Sequence, residues 1–231
     1  MNGYLKNFKP QIDTLKSVYS ELIQDIEGKV TIQNWWVFGG GTALSIFYFN
    51  HRKSFDIDIF VNESQVFDFL DPKWYIDESM IFDSYDYRFD GANKHLKLRT
   101  KDHIKVDFLV NEAVIKKPIK NNLLDLDFDL YYESVEDIIA KKVKYRKEDN
   151  LTRDIFDLAV SIEDNEEILT NLLLSKFISR DDLQKLKNSL KNLNEDIYKI
   201  ELEKIEPNGE KYQKIAKNAK QIIIDNITEL L

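Results

Sequence analysis

The sequence predicts an α/β (α+β) protein: a mixed, twisted sheet with flanking helices over residues 1–133, then an α-helical half over residues 134–231 packed on that core. Three observations predict this. In the first half, apolar and polar residues alternate strictly, as in Phe55-Asp56-Ile57-Asp58-Ile59-Phe60, which is the strand period. After Ser134 apolar residues recur at three- and four-residue spacing almost without a break, which is the helix period. No Gly/Ser/Pro-rich tether marks the junction, so two packed subdomains are expected rather than two tethered ones.

Composition narrows the class. A length of 231 residues is ample for a buried core. The 14 Phe and 11 Tyr, with 43% hydrophobic residues overall, exclude disorder over most of the chain. The absence of Cys excludes disulfides, thiolate catalysis and Cys-ligated zinc, and it fits a reducing, cytoplasmic setting. The first ten residues contain no apolar run of the secretory kind. No stretch reaches the roughly 20 apolar residues that cross a bilayer, so no membrane partner is expected. The net charge of -8 argues against generic coating of nucleic acid, while leaving room for a nucleic acid held at one local basic patch.

Element by element, Ile12, Leu15, Val18, Tyr19, Leu22, Ile23 and Ile26 predict a first helix over residues 12–26. Trp35-Trp36-Val37-Phe38 reads as a buried strand, ended by Gly39-Gly40-Gly41, and Thr42 caps a helix running to about Tyr48. Residues 55–60 form the second strand, with Phe55, Ile57 and Ile59 turned into apolar packing, and residues 63–70 a short helix. A meander of strands fills residues 74–110, including 94–99 and 104–110 around a turn at 101–103. Helices are expected over 135–148, 152–162, 165–174, 180–193 and 211–230.

Two places carry chemistry. Asp56 and Asp58, two apart on a strand, point to one face and present paired carboxylates. Like charges this close need a shared proton or a cation, and hard oxygen ligands favour Mg²⁺. Asp107, in Lys105-Val106-Asp107-Phe108-Leu109, would supply a third carboxylate if its strand lies beside that of Asp56. Three such groups make a two-metal phosphoryl-transfer site, with two Mg²⁺ expected and Mn²⁺ as the alternative. Upstream, the backbone amides of Gly40, Gly41 and Thr42 can meet a phosphate, and the Thr42 hydroxyl can donate to one. A tight turn and a solvated Asp-x-Asp are the plain alternatives; the order strand, Gly-Gly-Thr, helix, Asp-x-Asp strand, Asp strand favours function.

The segment Gly40-Gly41-Thr42-Ala43-Leu44 with His51-Arg52-Lys53-Ser54-Phe55-Asp56-Ile57-Asp58-Ile59-Phe60 resembles the first motif of the AbiEii/AbiGii toxin family. Asp137-Ile138-Ile139-Ala140-Lys141-Lys142, then Arg146, then Arg153-Asp154-Ile155-Phe156-Asp157-Leu158, is similar to that family's helical segment. The likeness spans about residues 36–158. It implies a DNA polymerase β-like nucleotidyltransferase fold, and a toxin of a toxin–antitoxin or phage-defence system. Such an enzyme would move a nucleoside monophosphate from a nucleoside triphosphate to RNA, including tRNA. By position, Asp56, Asp58 and Asp107 would bind metal, with Asp107 also a candidate base. Lys142 and Asp154 would belong to a nucleotide-side cluster, joined by a partly exposed ion pair. Lys141 adjoins Lys142, so the register of the functional lysine is open by one. A cognate antitoxin would be a partner, and the active site is expected in the cleft between core and helical half.

Other residues carry weaker signals. Arg52 can meet the nucleotide's phosphate, with a solvated turn as the alternative. His51, His95 and His103 lack metal-ligand spacing and read as exposed or structural. Lys97 and Arg99 share one strand face and suit either a substrate track or a charged outer surface. The rival functions are transfer to a protein or small-molecule hydroxyl, and a non-catalytic nucleotide- or partner-binding module.

Overall fold

Pro10 sits in the first turn of α1 (Lys9–Val18), where its missing N–H costs nothing. A 3₁₀ turn precedes this helix, and a π turn (Tyr19–Ile23) joins it to α2 (Gln24–Glu27). The periodic positions Ile12, Leu15, Val18, Leu22, Ile23 and Ile26 are all buried, and Tyr19 stacks on Phe128 at 3.8 Å between ring centroids. The structure is a computed structural model that describes residues 3–111 and 115–231; residues 1, 2 and 112–114, part of the span read as sheet core, lie outside the described residues.

The sheet is built from β1 (Trp36–Gly39), β2 (Ile57–Val61), β3 (Phe82–Asp90), β4 (His95–Thr100), β5 (Lys105–Val110), β6 (Ile119–Lys120) and β7 (Tyr131–Tyr132). Among the described residues its order is β3-β4-β5-β2-β1-β7-β6. β2 and β5 run parallel, as do β1 and β7, and the remaining neighbours are antiparallel, so the sheet is mixed. Burial alternates as the sequence period requires: Ile57, Ile59, Val61, Leu96, Leu98, Val106 and Phe108 are buried on one face. Asp58, His95, Lys97 and Arg99 stand half-exposed on the other. Phe55 departs from expectation. It precedes β2 and is 60% exposed, because the pleat that would turn it inward begins only at Ile57.

These strands belong to one structural unit, Met1–Ile46, Phe55–Val114 and Pro118–Glu133. The other unit comprises Phe47–Ser54, Ile115–Lys117 and Ser134–Leu231. It holds α4 (Val135–Arg146), α5 (Thr152–Asp164), α6 (Ile168–Leu174), α7 (Arg180–Lys191), α8 (Glu195–Ile205) and α9 (Gly209–Leu230). The Ser134 hydroxyl caps α4 at the Asp137 amide, and Ser179 with Asp182 forms a capping box on α7. α5 packs on α9, whose Ile215, Ala219, Ile223 and Ile227 lie on one buried stripe. Segment 47–54 is anchored to the start of α9: Asn208 donates to the carbonyls of His51 and Asn50, and Tyr212 to that of Phe49.

β1 leads into the short α3 (Gly40–Leu44) through two glycines with different tasks. Gly40 has φ +67°, and a Cβ there would overlap the Asp58 carboxylate. Gly39 has an ordinary extended φ, but a Cβ on it would overlap the Glu133 carboxylate and the Phe60 ring. Both let an acidic side chain lie directly on the backbone. Gly40→Ala is therefore expected to lower unfolding free energy by more than about 2 kcal/mol, from left-handed strain plus displacement of Asp58. Gly39→Ala should also destabilise, by steric conflict alone. Gly3→Ala, where a Cβ meets open space, should be near neutral, and denaturant unfolding of the three variants checks the ranking.

Candidate active site

The parallel pairing of β2 with β5 sets Asp58 opposite Asp107, and Gly39 of β1 pairs with Asp58 on the other side. Residues in register on neighbouring strands face the same way, about 4.8 Å apart. Asp58 and Asp107 thus form the side-by-side carboxylates that the sequence implied. Asp56 sits just before β2 and continues its alternation of exposure, in phase with Asp58. The Thr42 side chain is fully buried, and its hydroxyl donates to the Asp56 carbonyl. It ties the glycine turn to the mouth of β2, so what Gly40, Gly41 and Thr42 can offer a phosphate is backbone N–H groups.

Asp107 is 6% exposed and is contacted by a lysine and a histidine of its own sheet. Lys105 Nζ lies 2.8 Å from one carboxylate oxygen and His95 Nε2 3.2 Å from the other. Burial opposes its ionisation, but the hydrogen bonds from His95 and Lys105 prevail and hold the carboxyl below its ordinary value. A carboxylate so held is a better cation ligand than proton acceptor. Among the described residues no group of three or more acidic or histidine side chains is gathered closely enough to hold a metal ion. The donor chemistry nevertheless fits a hard divalent cation: two carboxylates abreast, with Asp56 two residues away and the glycine turn clearing space beside Asp58. An ion there would replace Lys105 as the partner of Asp107.

The second charged cluster lies within the helical unit, centred on Asp157, which is completely buried. Arg52 grips it with both arms, Nε to one oxygen at 2.6 Å and a terminal nitrogen to the other at 2.8 Å. His51 Nε2 lies 2.7 Å from the first oxygen and Lys142 Nζ 3.1 Å from the second. Lys142 also pairs with Asp154, which in turn meets Arg146 at 3.3 Å. The Lys142–Asp154 ion pair is present, but with each side chain 9% exposed it is buried rather than partly exposed. Arg52 is likewise no solvated turn residue, at 5% exposure. Burial opposes ionisation of Asp157, yet Arg52 and Lys142 pull it well below the carboxylate range, and Lys142 and Arg146 similarly lower Asp154. Burial lowers His51 despite Asp157, so its imidazole is neutral at pH 7.

Sequence reasoning missed three participants. Asp157 carries a sequence signal only through the run Arg153-Asp154-Ile155-Phe156-Asp157-Leu158, and its partners His51 and Arg52 lie 106 and 105 positions away. His95 looked exposed or structural and proves to touch Asp107. Glu133, 3% exposed and set against Gly39, carried no local signal at all. Only the strand alternation that puts His95 on the same face as Asp107, one pleat further from the β4–β5 turn, could have revealed the second.

Breaking this network should cost stability in a graded way. Asp157→Ala strands the buried Arg52 guanidinium and should cost about 3–5 kcal/mol. Asp154→Ala should cost less, because Lys142 keeps Asp157 and Arg146 is 40% exposed. Both carboxyls are lowered in the folded state. Their contribution is complete above the unfolded value of about 3.9 and fades as pH falls through the folded values. His51, also lowered, begins to oppose folding below about pH 6.5, where the unfolded imidazole takes up a proton. Urea midpoints against pH should decline from there and steepen below about pH 4. In Asp157→Ala the steep acid limb should flatten.

The family described as nucleotidyl transferase AbiEii toxin, type IV toxin–antitoxin system, matches residues 28–225. No curated protein matches. Among solved structures, the chain is similar to MenT4, a nucleotidyltransferase toxin from Mycobacterium tuberculosis, at 19% identity and a TM-score of 0.45, covering 78% of this chain but only 65% of that longer one. It is also similar to JHP933 from Helicobacter pylori, at 16% identity and a TM-score of 0.47, covering 100% of this chain and 95% of the other. The family match takes in the glycine turn, Asp56, Asp58, Asp107 and the Lys142–Asp154–Asp157 cluster, and the chain belongs to the nucleotidyl transferase AbiEii toxin family.

Proposed function

We propose that this chain transfers a nucleoside monophosphate from a nucleoside triphosphate to a hydroxyl of RNA, with tRNA the foremost candidate, and that it does so in the cytoplasm as the toxin partner of a cognate antitoxin. The observation that carries this reading is the register of Asp58 opposite Asp107, beside the Gly39-Gly40 turn, in a chain of this family. No described helix is long and apolar enough to cross a membrane.

In this reading Asp56, Asp58 and Asp107 hold divalent metal, Mg²⁺ with Mn²⁺ as substitute. Bound there, the ion would neutralise phosphate charge and make the acceptor hydroxyl easier to deprotonate. The amides of Gly40, Gly41 and Thr42 orient the triphosphate, and Arg52, Lys142 and Asp154 form the nucleotide-side cluster. Positioning and fixed charge supply most of the acceleration, since phosphoryl transfer asks little covalent chemistry of the protein. The ion pairs of Lys142 with Asp154 and Asp157 support Lys142 as the functional lysine of the adjacent pair.

The test incubates the protein with each labelled triphosphate, Mg²⁺ and total RNA or protein extract. Label should enter RNA. Asp58→Asn should lower incorporation about a hundredfold or more with the fold intact. Asp107→Asn should reduce the rate further than it weakens triphosphate binding if this carboxylate also positions the hydroxyl. Lys142→Met leaves Asp157 with Arg52 and Asp154 with Arg146, so activity should fall while the protein still folds, and Lys141→Met should be mild. Near-wild-type turnover by Asp58→Asn would end the metal-site reading, and label entering only the protein fraction would end the RNA reading.

A further inference from the structure

The row that contains Asp58 and Asp107 does not stop there. Asp107 pairs with Lys97 on β4, and Lys97 pairs with Arg88 on β3, so Asp58, Asp107, Lys97 and Arg88 lie in one line across the sheet. One pleat along, Arg99 pairs with Lys105 on the same face. At about 4.8 Å per strand the line runs about 14 Å from Asp58, and about 10 Å from Asp107, to the sheet edge. Arg88, Lys97, Arg99 and Lys105 border a shallow groove of about 140 Å³ there.

The charge of this strip runs against that of the protein, whose net charge is -8. Two of its cations are already engaged: Arg99 with Asp86 at 2.5 Å, and Lys105 with Asp107. Arg88 acts on Asp90 only through its field, and no hydrogen bond or ion pair within 4 Å engages Arg88 or Lys97 among the described residues. Elsewhere on the same unit, by contrast, Lys94 and Lys120 pair with Asp68 and Asp129. Asp86, Asp90 and Asp107 offset part of the strip's charge, but four cations in one patch still leave it net positive, and an anion laid across them is attracted to it.

We infer that this strip is the acceptor track: Arg88 and Lys97, steadied by the neighbouring Arg99, bind the phosphodiester backbone of a nucleic-acid strand whose terminal hydroxyl reaches Asp107. The inference rests on the proposed function, which places the triphosphate at the glycine turn on the β1 side of Asp58. The strip lies on the opposite side of the carboxylates, where the other substrate must enter for in-line attack. Its occupant is polyanionic and extended, because the cations are aligned in a row and offer charge without a specific pocket.

Fluorescence anisotropy with a short labelled single-stranded RNA of mixed sequence, without triphosphate, tests the strip independently of turnover. Arg88→Ala/Lys97→Ala should weaken RNA binding about tenfold or more and flatten the slope of log affinity against log salt by about 1.4, at about 0.7 per lost phosphate contact. Triphosphate binding and thermal unfolding should stay unchanged, and Lys214→Ala/Lys217→Ala on α9 should bind RNA as the wild type does. An unchanged RNA affinity in the double variant overturns the inference, and so does polyglutamate binding that exceeds RNA binding and is lost in that variant. Nucleotide incorporation by the wild type, measured alongside, separates the two ideas. Incorporation with an unaltered acceptor KM in the double variant removes the track and keeps the enzyme, whereas RNA binding by the strip with no incorporation removes the enzyme.

Discussion

The placement of Asp58 opposite Asp107 governs the carboxylate end of the sheet. At about 5 Å and an effective dielectric constant of 20, two unit charges repel by about 3 kcal/mol, so the pair must be compensated. The sheet answers with Lys105 and His95 on Asp107, while glycine at positions 39 and 40 leaves room for the Glu133 and Asp58 carboxylates. Parallel pairing of β2 and β5 is what keeps both acids on one face in one row. A slip of one residue in that register would turn one of them toward the apolar side occupied by Ile57, Ile59, Val106 and Phe108.

The helical unit faces the same problem in a more extreme form, since Asp157 has no access to water at all. Its solution is a bidentate arginine, a lysine shared with Asp154, and a neutral histidine. Such a cluster contributes orientation more than stability, because desolvating the ions consumes most of the Coulomb gain. What it fixes is the direction of Arg52 and Lys142, and through Arg52 the course of segment 47–54. Charged residues that a surface ion pair would leave mobile are held here in one arrangement.

Much of this was legible in the sequence because it is periodic. The alternation through Asp56 to Phe60 and the return of that pattern at Asp107 read correctly as local structure. The helical stripes of α1, α5 and α9 did so too, whereas Thr42, expected to cap a helix, lies inside α3, whose N-cap is Gly39. What was not legible is non-periodic or distant. β3 blurred into an unassigned meander because its register with β4 shifts between Phe82 and Tyr87. β6 and β7 are two residues each, too short to show a period. α8 went unread because Ile197 and Ile200 are exposed and only Tyr198 among its residues is buried. Arg52 reads as readily as a solvated turn residue, and nothing local to it or to Asp157 reveals a partner more than a hundred positions away. The strip of Arg88 and Lys97 needed the strand order, which puts β4 and β3 on the Asp107 side of the sheet.

The central claim is that Asp58 and Asp107 together form a binding site for a metal–triphosphate complex. Thermal unfolding of the wild type and of Asp58→Asn, each with a non-hydrolysable triphosphate and either Mg²⁺ or a chelator, tests it without relying on any acceptor. A ligand at about a hundred times its Kd stabilises the folded state by about 2.7 kcal/mol. The account predicts a rise in Tm for the wild type that requires Mg²⁺ and is absent in Asp58→Asn. An equal rise in both proteins, or one that survives the chelator, would contradict it.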